Sequence, residues 1–319
     1  MGLRLSDFAD ANLSLERETA PLFPHSLSGP LYEERKTVSI IQQQTIQLSD
    51  QFENIREIIQ TQDTFSNLST ICSFKENEKS ITFRTEKIHP LTPPKSTKPV
   101  ILLFSNPHPI SVQTGIFLSE PHSQAFWKRI FACNYMHPSN ELIDSISQWS
   151  SDTIGTLSAN LLNPTYSDEI TLFFDCLESL PTNQYSDLGK IFKNKKGKAL
   201  RKKTLQDPGI EHLYKISKKN NITSWVVFSA EAYRNIIGEK NIAKYAPKRI
   251  RNAIDKYHLE QDNDLFWQTL NDLRSSFVIN DLEITVYLSL IARRKNDKTT
   301  DGRRYFTLML DQIFQDIAK

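Results

Sequence analysis

The polar side chains best placed for chemistry in this 319-residue chain directly follow four short apolar runs. Runs this continuous are typical of strands that are buried on both faces of a parallel sheet. Because ligand sites lie beyond the carboxyl ends of such strands, the residues after the runs predict a binding cleft. The runs are Val100–Phe104, Ile170–Phe174, Trp225–Phe228 and Ile284–Leu288, and the residues that follow them are Ser105 and Asn106, Asp175, Ser229 and Ser289.

Positive charge is concentrated after two of these runs. The formal net charge of +2 hides one window of +8, Lys190–Lys203, and one of +4, Arg293–Arg304, so the rest of the chain carries −10. The windows follow the second and the fourth run, which places both at the predicted cleft. A cleft with polar side chains and clustered Lys and Arg favours a polyanionic partner.

The elements that must position this cleft alternate between strand and helix. Helical patterns occur over Ser123–Asn134, Ala230–Ile237 and Arg303–Ala318, and alternation of this kind predicts an α/β fold with a mainly parallel sheet. Before the first run, the segment Val38–Gln62 has helical spacing from Leu48 onward, which predicts an amphipathic helix, and residues 90–99 form a Pro-rich connector. We therefore expect a helical N-terminal extension over residues 1–95 and a second domain over residues 96–319.

Several classes of protein lack support in the sequence. There is no GxxxxGK[ST] phosphate loop, no GxGxxG after a strand and no GxSxG elbow. The three cysteines have no CxxC spacing, and the seven histidines form no HxxxH or HxH pair, which argues against an iron–sulfur cluster and a zinc site. No apolar run could span a bilayer and no secretory signal is evident. We therefore expect a cytoplasmic monomer without metal or cofactor.

The stretch Lys98–Phe117, KPVILLFSNPHPISVQTGIF, resembles the first motif of the uracil-DNA glycosylase superfamily. It is closest in style to the single-strand-selective monofunctional uracil glycosylases, in which a strand is followed by Asn-Pro-Gly-Pro, Gln-Thr-Gly and Phe. The resemblance extends over residues 85–319, although only this motif is specific. It implies a three-layer α/β/α sandwich with a four-stranded, mainly parallel sheet.

The resemblance also implies roles for the matching residues. Asn106 would orient the attacking water or stabilise the developing sugar cation, for which an uncharged amide is suited. Phe117 would stack on the extruded base, or else pack in the core. His108 replaces the family's Gly and would alter the wall of the base pocket, to which we also assign Ser289. The loop is one residue shorter than the family's.

Two departures from the family pattern affect the chemistry. Where the family has His-Pro-Ser after the last strand, this chain has Leu288-Ser289-Leu290, so the histidine that stabilises the leaving base is missing. Arg293, Arg294 or a base that already leaves well would compensate, and otherwise the enzyme would be inactive on uracil. Where the family reads uracil with an Asn, this chain has Asp175, and a carboxylate accepts from the exocyclic amine of cytosine but cannot donate. The sequence therefore predicts a cytosine-type base, modified so that the host's own DNA is spared.

The sequence thus predicts a DNA glycosylase that extrudes a pyrimidine and leaves an abasic site without cutting the strand. Phosphate contacts are assigned to Lys195, Lys196, Lys198, Arg293 and Arg294. Defence against viral DNA with modified bases is one role that would follow. The alternatives are a uracil-DNA glycosylase of base excision repair and a catalytically inactive DNA-binding protein on the same scaffold.

Overall fold

The computed structural model describes residues 41–120, 124–237, 274–279, 281–289 and 305–319, with the single positions 268 and 271. These residues all belong to one compact unit, Ser39–Lys319. Arg293, Arg294 and the rest of the second basic window lie outside the described residues, so the prediction of one positive rim is tested only for the first window.

A mixed five-stranded sheet forms the centre of the fold, with the strand order β5-β4-β6-β8-β7. The first four strands in that order run parallel, and each contains one of the four apolar runs except for Phe228, which directly follows β6, so those strand predictions are confirmed. The strands of this sheet are β4 (Lys98–Phe104), β5 (Ile170–Cys176), β6 (Ser224–Val227), β7 (Arg274–Ile279) and β8 (Leu282–Leu288).

The fifth strand, β7, corrects the predicted count of four. It pairs antiparallel with β8 through a turn at Asp281, whose φ of 69° is left-handed. Its side chains alternate between exposed and half-buried, as in a strand that is covered on one face. A search for continuous apolar runs selects strands buried on both faces, and for that reason it missed β7.

Helices pack against the sheet through two hydrophobic clusters. Along β5, Leu172 and Phe174 belong to one cluster, with residues of α4, α6 and α11, whereas Phe173 belongs to the other, with residues of α9 and α10. The three helical patterns are confirmed as α4, α10 and α11. Within the described ranges, the helices that follow β4 are α3 (Pro109–Thr114), α4 (Ala125–Ile130), α5 (Asn140–Ser147), α6 (Ser151–Leu162), α7 (Tyr185–Ile191), α8 (Lys195–Arg201), α9 (Asp207–Asn220), α10 (Ala230–Ile237) and α11 (Tyr305–Ala318).

The described part of the segment before β4, residues 41–97, is only partly helical, which corrects the expectation of a helical extension there, and residues 1–40 lie outside the described residues. It forms an antiparallel three-stranded sheet of order β1-β3-β2 beside two helices. The helical spacing from Leu48 onward corresponds to α1, whereas residues 41–47, with their Gln-rich alternation, pair with β3 as a strand. These elements are β1 (Ile41–Gln47), α1 (Phe52–Thr61), α2 (Ser66–Ser69), β2 (Cys72–Lys75) and β3 (Ser80–Glu86).

The small sheet shares its packing with the rest of the fold. Phe52 and Phe83 lie in one hydrophobic cluster with Val112 of α3 and Leu188 of α7. The connector after β3 then reaches the outer edge of β5, where Ile88 and Phe174 exchange two backbone hydrogen bonds of 3.0 and 2.8 Å. The predicted boundary at residue 95 thus falls within one compact unit, and the division into two domains stays a prediction.

None of the helices in the described part of the chain is both long enough and apolar enough to cross a membrane.

Candidate functional site at the carboxyl edge of the sheet

The carboxyl ends of the parallel strands meet along one edge of the sheet. Backbone hydrogen bonds continue the ladder just past the strands, from Leu177 to Phe104 at 2.9 Å and from Phe228 to Leu103 at 3.0 Å. Along the chain, β4 is followed by β5, which pairs with one side of β4, and then by β6, which pairs with the other side. This reversal of strand order is the position at which open α/β sheets bind ligands.

Asn106 lies in this crevice, in the loop between β4 and α3. Its amide nitrogen donates to the Thr182 hydroxyl at 2.8 Å, to the Pro107 carbonyl at 2.9 Å and to the Thr182 carbonyl at 3.3 Å. Its carbonyl oxygen accepts no hydrogen bond from any residue that the structure describes. The amide is therefore held from its nitrogen side, and its oxygen remains an acceptor for a water or a ligand.

The loop after Asn106 is fixed by its local sequence. His108 caps the N-terminus of α3 and Pro109 occupies its first turn, where a missing N–H costs nothing. The helix ends at Gly115, whose φ of 95° suits glycine. The His108 Nδ1 lies 2.9 Å from a carboxylate oxygen of Glu120, so this side chain is engaged at the base of the loop.

Phe117 lies in the core. It is 2% exposed, and its ring stacks on Phe104 with 5.4 Å between the centroids. Phe104 and Phe174, its neighbours, point to the α4 face of the sheet. A base could stack on Phe117 only after this aromatic cluster had opened, and its predicted base-stacking role stays a prediction.

Asp175 points to the opposite face of β5, toward α9. One of its carboxylate oxygens, Oδ2, lies 3.0 Å from Nε2 of His89 and 3.0 Å from Nε2 of His212. The other oxygen, Oδ1, accepts from the backbone N–H of Cys176 at 2.7 Å. The carboxylate is 1% exposed, whereas the histidine side chains are 26% and 35% exposed.

Burial alone would raise the pKa of the Asp175 carboxyl. The positive charge of Lys87 and the hydrogen bonds from His212 and His89 outweigh the burial, so the pKa lies well below its usual value. Asp175 is therefore an anion in the folded protein. With both oxygens engaged, it could accept from a base only if a histidine left Oδ2 or if the base shared Oδ1.

A second buried carboxylate, Glu178, follows β5. It accepts two hydrogen bonds from Arg201, at 2.6 and 2.7 Å, one from Tyr185 at 2.5 Å and one from Gln206 at 3.1 Å. This network ties the carboxyl end of β5 to α7 and α8. Arg201 is therefore held by a buried carboxylate, and its own side chain is only 13% exposed.

The predicted phosphate-binding residues Lys195, Lys196 and Lys198 lie on α8 and are exposed. Lys196 pairs with Asp50 at 3.0 Å on the surface, where an ion pair contributes little. Arg201, on the same helix, anchors it to Glu178 at the edge where β5 ends. The first basic window is thus held beside the crevice with most of its charge directed to solvent.

Ser289, the last predicted site residue within the described part, follows β8 at the same edge. Its side chain is completely buried, and no described residue forms a hydrogen bond with its hydroxyl. The structure thus places Asn106, Asp175 and Ser289 at the ends of parallel strands. Phe117 packs on the α4 face of the sheet and Asp175 on the α9 face, so those two predicted base contacts do not meet.

Sequence reasoning missed Thr182, His89 and His212. A search for close histidine pairs cannot find ligands or partners that come from separate elements. The one available signal was the position of His89 directly before Pro90, where the Pro-rich connector begins, and nothing in the sequence linked His89 to Asp175. Together His89, Asp175 and His212 form the one group of three possible metal ligands among the residues described.

Comparison with models of known protein families finds no match to this chain. Comparison with curated proteins also finds no match.

Proposed function

We propose that this protein is a monofunctional DNA glycosylase that hydrolyses the N-glycosidic bond of an extruded pyrimidine and leaves an abasic site. The observation that carries the proposal is the orientation of Asn106 in the crevice where the strand order reverses. Its amide nitrogen donates to Pro107 and Thr182, and no described residue donates a hydrogen bond to its carbonyl oxygen. An acceptor fixed in this way is suited to orienting a water molecule toward the C1′ atom of a sugar.

The arrangement of the sheet supports this assignment. The Asn-Pro-His-Pro loop follows the first of four parallel strands, as the resemblance to the uracil-DNA glycosylase superfamily implies. We propose that the fifth strand and the small sheet are additions to a three-layer α/β/α sandwich. Helices α4 and α6 on one face, and α9 and α10 on the other, are compatible with that layering.

The proposed partner is DNA, for which α8 provides the contact surface. Its exposed lysines would bind phosphates beside the crevice, and such contacts position a duplex or a single strand without reading its sequence. Extruding a nucleotide costs a few kcal/mol, which phosphate contacts on both sides of the target would offset. Arg293 and Arg294 remain proposed contributors from the second basic window.

We propose that the base is a modified cytosine, read through Asp175. The carboxylate would accept from an exocyclic amine by sharing Oδ1, or at Oδ2 if the partly exposed ring of His89 or His212 were displaced. Enlarged cytosines occur in some viral DNA, so defence against such viruses is the proposed role.

An alkali-cleavage assay tests the activity. Labelled oligonucleotides containing uracil, cytosine or glucosylated 5-hydroxymethylcytosine are incubated with the protein and then treated with hot alkali. We expect cleavage that appears only after alkali and is lost in Asn106→Ala, while the exposed control Asn163→Ala retains it. Cutting before alkali, or excision unaffected by Asn106→Ala, would contradict the proposal.

The same panel tests the base assignment. Asp175→Asn should shift the preference from modified cytosine toward uracil by at least tenfold, because a neutral amide can donate to the uracil carbonyl. An unchanged preference would reject the role of Asp175 in reading the base. Equal plating of modified and unmodified phage on a strain that expresses the protein would reject the defensive role.

The burial of Phe117 and the absence of the His-Pro-Ser motif favour a second candidate, a DNA-binding protein that has lost catalysis. It predicts retarded migration of the oligonucleotides in a native gel with no alkali-labile product on any of them.

A further inference from the structure

Three side chains from three separate elements converge on the α9 face of β5. His89 comes from the connector after β3, Asp175 from β5 and His212 from α9. Both Nε2 atoms lie 3.0 Å from the same Asp175 oxygen, and all three atoms lie within 4.8 Å of one another. The two imidazole rings stack with 5.9 Å between their centroids and 26° between their planes.

The surrounding structure fixes each of these residues. Next to His89, Ile88 pairs with the backbone of Phe174 on β5. The carboxylate of Asp175 is oriented by the N–H of Cys176 at its far oxygen. His212 lies one turn beyond Gly209, where α9 approaches the end of β5 so closely that a Cβ atom would lie 1.8 Å from the Leu177 carbonyl oxygen. The group is therefore organised before any ligand arrives.

We propose that His89, Asp175 and His212 bind one divalent transition-metal ion of the zinc type, with a fourth position open to solvent. Two imidazole nitrogens and one carboxylate oxygen are a common ligand set for such ions, and three protein ligands with an open position characterise reactive rather than purely structural sites.

The geometry is suitable for zinc. Zn–N and Zn–O bonds of about 2.0–2.2 Å in a tetrahedral site place the ligand atoms about 3.3 Å apart. The two nitrogen–oxygen separations of 3.0 Å are close to that value. The buried carboxylate lies at the floor of the site and the half-exposed rings at its entrance, so the open position faces solvent.

Metal binding needs no oxidant and no new covalent bond. In the metal-free protein each Nε2 carries the proton that it donates to Asp175. In the metal-bound protein each Nε2 must give its lone pair to the ion, so each proton moves to Nδ1 or to solvent. Lys87, whose charge acts on Asp175, would repel the ion and weaken its binding.

The test is a titration of the untagged, full-length, chelator-treated protein with Co²⁺ and then with Zn²⁺. We expect one Co²⁺ per chain with the visible absorption of a tetrahedral complex, displaced by Zn²⁺. His89→Gln and His212→Gln should each weaken Zn²⁺ binding about 100-fold or more in calorimetry. The exposed control His137→Gln should not, and Lys87→Gln should strengthen binding several-fold.

Two results would overturn the proposal. One is the absence of stoichiometric Zn²⁺ binding by the wild-type protein. The other is unchanged affinity in both His89→Gln and His212→Gln, with folding of each verified by circular dichroism. Since the readout is metal binding rather than base excision, this test does not depend on the glycosylase proposal. An ion bound at Oδ2 would leave only Oδ1 of Asp175 for an incoming base.

Discussion

Thr182 shows how one hydroxyl group can position the residue on which the proposed chemistry depends. Its oxygen accepts from the Asn106 amide at 2.8 Å and donates to the Gln184 carbonyl at 2.8 Å. Because a hydroxyl has one proton, donation to Gln184 makes it an acceptor toward Asn106. This relay fixes which end of the Asn106 amide faces the crevice.

Replacing Thr182 by Val keeps the shape of the side chain and removes the relay. If the protein excises bases, we expect kcat to fall about tenfold while KM changes little, since about 1.4 kcal/mol of orientation is lost. Single-turnover excision measures the effect, with the exposed Thr61→Val as control. Equal kcat for Thr182→Val and wild type would show that the relay does not orient Asn106.

Glu86, at the end of β3, is completely buried, and neither of its carboxylate oxygens has a hydrogen-bond partner among the described residues. Burial, with the charge of Glu120 as a second cause, raises the pKa of this carboxyl well above its usual 4.5. The folded protein therefore holds the proton where the unfolded chain releases it. Stability conferred by the protonated form is present at low pH and is lost as pH rises above 4.5.

Glu86→Gln removes this titration. We expect the variant to match the wild type near pH 4 and to exceed it at pH 8, by about 1 kcal/mol or more, because an ionised group buried without partners is costly. Urea denaturation at both pH values measures the difference. The exposed Glu57→Gln should show no such pH-dependent gain, and a Glu86→Gln protein that is less stable at pH 8 would contradict the argument.

At the scale of elements, α9 packs on the sheet through Leu213 and Ile216 and makes one very close backbone approach at its start. A π-helical segment, Lys202–Gln206, leads into α9, and Gly209 in its first turn lies against the Leu177 carbonyl. Segments with π-helical geometry are uncommon and often lie near functional sites. The position of α9 determines where His212 meets Asp175, so this contact couples the helix packing to the site.

Gly209→Ala should therefore destabilise the fold by about 1–3 kcal/mol, as overpacking commonly does. We expect Gly189→Ala on α7 to stabilise the fold, because nothing lies within 4 Å of the added Cβ and Ala is more favourable than Gly in a helix by about 1 kcal/mol. Chemical denaturation of the pair measures both signs. A neutral or stabilising Gly209→Ala would mean that α9 is free to shift along β5.

Some elements of the fold could be predicted from the sequence more readily than others. The runs in β4, β5, β6 and β8 were recognisable because strands buried on both faces are apolar at every position. Strands β1 and β7 were missed because each is partly exposed, and IQQQTIQ in β1 forms its pattern only with β3 beside it. Helix α10 was predicted with its observed bounds.

The candidate site was less predictable than the fold. Asn106 and Asp175 could be located because each follows an apolar run. Their partners could not, since Thr182, His89 and His212 are brought to them by loops and by the packing of α9, and no local spacing encodes those contacts. The same holds for Phe117, whose burial depends on the aromatic residues around it.

At the scale of the whole molecule, the near-neutral total charge conceals a strongly uneven distribution. The window Lys190–Lys203 carries +8, and its lysines on α8 lie exposed beside the edge where β5 ends. The lysines at the end of α9, Lys218 and Lys219, lie near the start of β6 and therefore near the opposite edge. The two groups offer a matched comparison.

If α8 contacts DNA, Lys195→Gln combined with Lys198→Gln should weaken binding and lower the slope of log K against log salt by about 1.4–1.8, as expected for two lost phosphate contacts. Lys218→Gln with Lys219→Gln should leave the slope unchanged. Fluorescence anisotropy over a salt series measures both. Equal slopes in the two double variants would place the DNA elsewhere.

The two hydrogen bonds between Ile88 and Phe174 have a consequence for self-association. β5 is the outermost strand of the central sheet, and an unpaired outer strand is a template for pairing with another chain. Ile88, just before the Pro-rich connector, occupies part of that edge and so blocks the addition of a strand from another molecule there. If the pairing of Ile88 with Phe174 were lost, we would expect the protein to aggregate through this edge while its hydrophobic core stayed folded.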